Sequence, residues 1–131
     1  MYFIDTNIII WVIRGNRVYE NILQKLKNEA SLSISTITIA EIYKNVLPGE
    51  QLKTEDVLDN FENYDVTSKI AKLSGLYWQQ YSKKYKNFSI VDCLIAATAR
   101  ENNLTLLTLN TRHFPMDDIN VFDPLKKFKS N

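Results

Sequence analysis

Four polar side chains stand where apolar runs break: Asp5, Glu41, Asp92 and Asn110. The first lies between Tyr2-Phe3-Ile4 and Ile8-Ile9-Ile10, separated from the second run by Thr6-Asn7. An apolar run without alternation suits a short strand covered on both faces, and a carboxylate is an odd occupant of its end. The ordinary reading is that Asp5 caps the following helix while Thr6 and Asn7 close the turn. Three acids at one sheet edge change that balance, because together they repel one another by several kcal/mol at low effective dielectric. Something positive should sit between them. Oxygen ligands without clustered His or Cys select a hard cation, Mg²⁺ or Mn²⁺, which keeps several waters and accepts phosphate oxygens. The chemistry indicated is phosphoryl transfer.

The elements needed to gather these residues can be read in order. A first strand ends at Asp5, and a short helical stretch over 8–13 breaks near Gly15-Asn16. Residues 19–28 read as an amphipathic helix with Ile22, Leu23 and Leu26 on one face, completing a helical hairpin. Leu32-Ser33-Ile34-Ser35 is a second strand, and Ser35 or Thr36 caps a helix over 37–47 that Pro48-Gly49 ends. Ile37, Ala40, Glu41 and Lys44 share a face of that helix, which predicts a buried setting for Glu41. Helices are expected over 51–63, 67–85 and 89–100, the last with a small, apolar body that should be buried. Asn102-Asn103 stops it, strands follow over 104–107 and 119–122, and residues 126–131 form a basic, frayed tail. Strands alternating with helices predict an α/β fold: a three-layer, Rossmann-like arrangement with a short central parallel sheet of about four strands flanked by helices.

Size and composition agree with one domain over residues 1–125. A chain of 131 residues with 45% hydrophobic and 24% charged residues is that of a globular protein, away from disorder. The single Cys93 excludes an internal disulfide and a thiolate zinc site, which fits a reducing compartment, the cytoplasm by default. No leader pattern and no membrane-length apolar run are read. The net charge of +1 means that any nucleic-acid binding must come from segregated charge.

With these motifs in place, the sequence resembles the PIN domain, and within it the VapC-type toxin ribonucleases of toxin–antitoxin pairs. The resemblance covers nearly the whole chain. It rests on Phe3-Ile4-Asp5-Thr6-Asn7-Ile8, Ser35-Thr36-Ile37-Thr38-Ile39-Ala40-Glu41-Ile42, Val91-Asp92-Cys93-Leu94-Ile95-Ala96-Ala97-Thr98-Ala99 and Leu107-Thr108-Leu109-Asn110-Thr111-Arg112-His113-Phe114, in family order and spacing. It implies a PIN-like fold and an endoribonuclease dependent on Mg²⁺ or Mn²⁺, commonly a homodimer, that hydrolyses RNA to 5′-phosphate and 3′-hydroxyl ends and is held inactive by a cognate antitoxin. It assigns metal-binding and catalytic roles to Asp5, Glu41 and Asp92. Thr6, Asn7 and Thr108 are expected to orient the carboxylates, with capping the equal alternative. Many PIN domains have a fourth acid where this chain has Asn110, so a second ion would find a poorer ligand set.

Other residues carry less. Arg112 and Arg100 either grip RNA phosphate or are solvated, and Asp117 and Asp118 read as loop solvation. His113 beside Phe114 reads as packed or surface histidine before it reads as a general base, and Cys93 as core. Tyr77, Trp78, Tyr81 and Tyr85 read as core or partner packing before they read as base-stacking rings, and Lys83, Lys84 and Lys86 as a solvated face that could touch phosphate. A rival from another class is a PIN-like protein- or RNA-binding module with little catalysis. A phosphatase or receiver lacks its paired acids here, and a dinucleotide site lacks its glycine-rich turn.

Overall fold

The computed structural model describes residues 1–129. Its elements run β1 (Tyr2–Ile4), α1 (Thr6–Ile13), α2 (Arg17–Glu29), β2 (Leu32–Ser35), α3 (Thr36–Lys44), α4 (Gln51–Leu58), β3 (Glu62–Tyr64), α5 (Ser68–Tyr81), α6 (Ile90–Glu101), β4 (Thr105–Leu107), a 3₁₀ turn (Thr111–His113), β5 (Asn120–Phe122) and α7 (Pro124–Lys129). The strands form one sheet in the order β3-β2-β1-β4-β5, every neighbouring pair parallel. All carboxyl ends therefore share one edge.

The three central strands are short and mostly buried on both sides, as parallel strands between helical layers require; β1 is apolar throughout, while β2 alternates Leu and Ile with serines that are buried as well. Successive side chains feed opposite cores. Phe3 and Leu106 join the layer of α5 and α6 with Ile70, Tyr77, Ala96 and Ala97. Ile4 and Leu107 join the layer of α1 and α2 with Ile8, Ile9, Leu23 and Leu26. The alanine-rich face of α6 lets α5 approach closely, and Cys93 is fully buried there, its thiol pushed up to about 11 by burial.

Local chemistry sets the boundaries. Asn16 caps α2 by accepting from Val18 and Tyr19 N–H, Ser35 caps α3 through Ile37 N–H, and Thr67 caps α5 through Ile70 N–H. Gly15 follows α1 at φ +82°, and Asn103 follows α6 at φ 51°, the left-handed geometry that ends helices.

Three expectations need correction. The sheet has five strands among the described residues, because the helix expected over 51–63 stops at Leu58 and Glu62–Tyr64 pairs with β2. That edge strand is mostly exposed and has no apolar pattern of its own; backbone pairing to Ser33, Ile34 and Ser35 makes it. The helices expected to run to 47 and 85 end at Lys44 and Tyr81. The tail expected from 126 is helical through Lys129, while residues 130–131 lie outside the described residues.

Candidate active site at the carboxyl edge of the sheet

Asp5 follows the central strand β1, and its backbone N–H donates to Leu107 O (3.0 Å), which locks the end of β1 to β4. Its carboxylate is only 8% exposed and both oxygens are held. Oδ1 accepts from the backbone N–H of Thr6 (2.9 Å), and Oδ2 accepts from Thr108 Oγ1 (2.7 Å). The capping expectation is met in form, yet the bond reaches only the first N–H of α1. The second partner, Thr108, follows β4 and lies 103 residues away, which a cap does not need. Thr108 is itself oriented, since its hydroxyl oxygen accepts from Asn110 N–H (3.0 Å).

Glu41 arrives from α3. Its half-buried carboxylate accepts from Thr6 Oγ1 at 2.6 Å, and Thr6 Oγ1 also lies 3.3 Å from Thr38 Oγ1. A hydroxyl has one proton and a carboxylate none to give, so Thr6 donates to Glu41 and Thr38 donates to Thr6. Thr38 is fully buried. The buried face of α3 is thus Thr38 and Ile42, with Glu41 on its flank, where an apolar setting was expected.

Asp92 arrives from the first turn of α6. Ser89 caps that helix, its Oγ accepting from Asp92 N–H (3.0 Å). His113, in the 3₁₀ turn, brings Nδ1 to 3.6 Å from Asp92 Oδ2. Sequence alone singles out neither Ser89 nor Thr38 and reads His113 as surface or packed. Each had a local signal: Ser89 precedes Asp92 by three residues, the spacing of a capping box, and Thr38 precedes Glu41 by three, one helical turn.

The acids feel one another. Burial pushes the Asp5 carboxyl above its ordinary value of 3.8, the bonds from Thr108 and Thr6 pull it back, and the charges of Asp92 and Glu41 add to the rise. Burial also raises Asp92; Ser89 and His113 oppose that, and Glu41 adds to it. Strand ends, helix starts and buried hydroxyls therefore bring Asp92 and Glu41 within electrostatic reach of the buried Asp5. Among the described residues, no three His, Cys, Asp or Glu side chains stand close enough to clasp one ion by themselves.

Of the remaining expected residues, Asn110 and Arg112 line a polar cleft of about 430 Å³ with Thr111, His113, Asp123 and Lys126, directly beside Asp92 through His113. Asn7 is exposed and no hydrogen bond ties it to the acids among the described residues. Arg100 and Asp118 are engaged elsewhere. Arg100 Nη1 pairs with Asp118 Oδ2 (3.0 Å), and the buried Tyr77 hydroxyl, its pKa raised by burial, donates to Asp118 Oδ1 (2.8 Å).

Residues 2–118 match the family model described as PIN domain. The chain belongs to the PIN domain family. Within it the relatives are of VapC type. Ribonuclease VapC10 of Mycobacterium tuberculosis is 30% identical over 116 residues, covering 88% of this chain and 87% of the relative. Ribonuclease VapC2 of Haemophilus influenzae is 34% identical over 118 residues, covering 86% and 89%. The crystal structure of VapBC2 from Rickettsia felis, bound to a DNA fragment from their promoter, superposes with a TM-score of 0.81 at 26% identity over 92% of this chain and 96% of that one. A toxin–antitoxin complex from Klebsiella pneumoniae gives 0.74 at 28%, over 95% and 98%. Asp5, at the end of β1, and Asp92, in the first turn of α6, lie at the carboxyl edge of the sheet, and Thr6 ties Glu41 to the same edge.

Proposed function

We propose that this PIN domain is a VapC-type toxin: an endoribonuclease that hydrolyses RNA phosphodiester bonds with Mg²⁺ or Mn²⁺ in the cytoplasm, as a homodimer neutralised by a cognate antitoxin. The observation that carries the reading is the convergence of Asp5, Glu41 and Asp92 from three separate elements, close enough that Asp92 and Glu41 raise Asp5 and Glu41 raises Asp92. Burying uncompensated carboxylates together is costly, and a cation is the ordinary remedy.

The donor set suits a divalent ion of a particular kind. It is all oxygen and, among the described residues, it does not close into a cage, which fits a hydrated Mg²⁺ held by one or two carboxylates and completed by water and substrate oxygens. Asp5 and Asp92 would hold the ion, with Glu41 reaching it directly or through water. When bound, such an ion neutralises charge on the phosphodiester and lowers the pKa of the attacking water. The chain's own groups do the rest. Thr108 and the Thr6 N–H fix the Asp5 carboxylate, Thr6 and Thr38 fix Glu41, and Ser89 and His113 fix the approach of Asp92. Arg112, exposed at the cleft, would meet a phosphate of the strand.

The same open arrangement favours a second reading, a PIN-like binding module with weak catalysis. One experiment separates them. Purified protein is incubated with a broad single-stranded and structured RNA pool, with Mg²⁺ or Mn²⁺ and then with EDTA. Cutting that needs the metal and is lost in Asp92→Asn supports the toxin; intact RNA under all conditions supports the module.

A further inference from the structure

Between Asp65 and Asp92 the chain contains no Asp or Glu and carries Lys69, Lys72, Lys83, Lys84 and Lys86. In a protein of net charge +1, this stretch of α5 and the loop after it leaves the remainder at −4. Charge segregation of that kind is what bulk composition could not reveal. Lys69 pairs with Glu101. Lys83, Lys84 and Lys86 are exposed, and none of them pairs with an acid among the described residues.

Aromatic rings lie among these lysines. Trp78 stacks on Phe88 with centroids 6.0 Å apart and planes 12° from parallel; Phe88 meets Tyr81 edge-on, and Tyr81 meets Tyr85. Phe88 is buried, while the two ends of the series, Trp78 and Tyr85, are each 41% exposed. The loop is anchored as well: Asn87 takes the left-handed conformation (φ 61°), and the next residues are buried Phe88 and the cap Ser89, bonded to Asp92 N–H. Lys86 lies three residues before Ser89, at most about 10 Å of chain.

From this we infer that the α5–α6 connection is a platform for single-stranded RNA, with Trp78 and Tyr85 stacking bases and Lys83, Lys84 and Lys86 holding the phosphates that lead to Asp92. The platform extends the nuclease reading above and rests on it for the identity of the ligand. Alternating cations and exposed rings are the recognition chemistry of unpaired nucleic acid, whose bases offer π faces and whose backbone offers one charge per nucleotide. A protein partner fits less well, because interfaces are depleted in lysine and three cations without acids would have to be desolvated. The platform also answers an electrostatic difficulty: three carboxylates repel RNA, and unpaired positive charge close to them draws it in.

The test is binding of a fluorescein-labelled, mixed-sequence single-stranded 20-mer RNA in EDTA, followed by anisotropy across a salt series. The triple variant Lys83→Gln/Lys84→Gln/Lys86→Gln is expected to bind at least about tenfold more weakly, with the slope of log K against log salt shallower by about 2, near 0.7 per lost phosphate contact. The corresponding Lys→Arg triple retains binding, which shows that charge is at issue, and Lys25→Gln on α2 matches the parent. Trp78→Ala/Tyr85→Ala weakens binding about tenfold or more and leaves the slope unchanged, since stacking carries no counterion. KM for metal-dependent cleavage rises in both sets. A parent that binds RNA while the Gln triple matches it in affinity and slope overturns the platform, as does an aromatic variant that alters sedimentation mass and not RNA affinity. A parent that binds with the stated slope yet never cuts leaves the platform standing and removes the nuclease reading. No binding by the parent at low salt overturns the platform outright.

Discussion

Asp5→Asn separates a capping residue from an ion-binding one by the sign of its effect on stability. At an N-cap, Asn and Asp are nearly equivalent, so a capping role alone predicts no change. The structure predicts stabilisation of the metal-free protein. Asn keeps the oxygen that accepts from Thr6 N–H and sets its amide toward Thr108 Oγ1, which has a lone pair left after accepting from Asn110 N–H. The Thr108 proton then loses its acceptor, at a cost of about 1 kcal/mol, against about 1–3 kcal/mol recovered by no longer burying a charge that its bonds do not compensate. The expected net gain is about 1 kcal/mol. For 131 residues the unfolding entropy is about 0.28 kcal/mol/K, so that gain raises Tm by about 3–4 °C in EDTA at pH 7.

Two further readouts make the test strict. Because burial holds the folded Asp5 pKa above 3.8, the native state binds more protons than the unfolded chain between the two values. Parent stability from this group therefore falls as pH rises through that interval, and the advantage of the variant is greatest at neutral pH and vanishes below 3.8. With Mn²⁺ at 100 times its dissociation constant the parent gains about 2.7 kcal/mol, near 10 °C, and the variant gains none of it. RNA cleavage by the variant falls by more than the ~10–100-fold that loss of an orienting group costs. Calorimetry showing the variant equal to or less stable than the parent in EDTA at pH 7 would refute the account of Asp5.

Two other substitutions probe what supports the site. Thr38→Val removes the buried proton donated to Thr6 and so loosens Glu41; cleavage should fall about tenfold with a rise in the Mn²⁺ concentration needed, and Thr38→Ser should restore both. Cleavage by Thr38→Val that matches the parent across a Mn²⁺ titration would show that the hydroxyl series is only structural. Ser74, fully buried on α5, has a hydroxyl with no partner among the described residues, and Ser74→Ala should raise Tm by about 3–4 °C, roughly 1 kcal/mol, while RNA cleavage stays at the parent rate. An unchanged or lower Tm would mean that the hydroxyl is satisfied in solution.

The layers of this fold were legible because the central strands carry their own evidence. Phe3-Ile4 and Leu106-Leu107 are apolar without alternation, a pattern that demands cover on both faces, whereas β2 alternates and only its fully buried Ser33 and Ser35 show that it is covered on both. Glu62–Tyr64 was not legible for the converse reason. Its sequence holds no strand signal; it pairs along the edge of β2, with the preceding Phe61 buried and Tyr64 edge-on to Phe3. Helix ends followed the same division: Gly15 and Asn103 mark theirs by left-handed geometry, while α5 stops at Tyr81 with no such residue, where Trp78, Phe88 and Tyr85 gather.

At the site, the acids could be found and their partners could not, and the physics of each explains the difference. A carboxylate at a strand end is conspicuous in one dimension because it violates the burial of its neighbours. A threonine hydroxyl violates nothing: Thr38 and Thr108 suit a core or a turn equally well, and only the sheet brings Thr108 within 2.7 Å of Asp5 across 103 residues. His113 is similar, facing Asp92 only once the 3₁₀ turn after β4 is closed by Asn110 O accepting from His113 N–H. The charged side chains are thus placed by local sequence, and their orientation is set by long-range pairing. Substitutions at Thr38 or Thr108 should therefore disturb the placement of the acids while leaving the strands and helices that carry them intact.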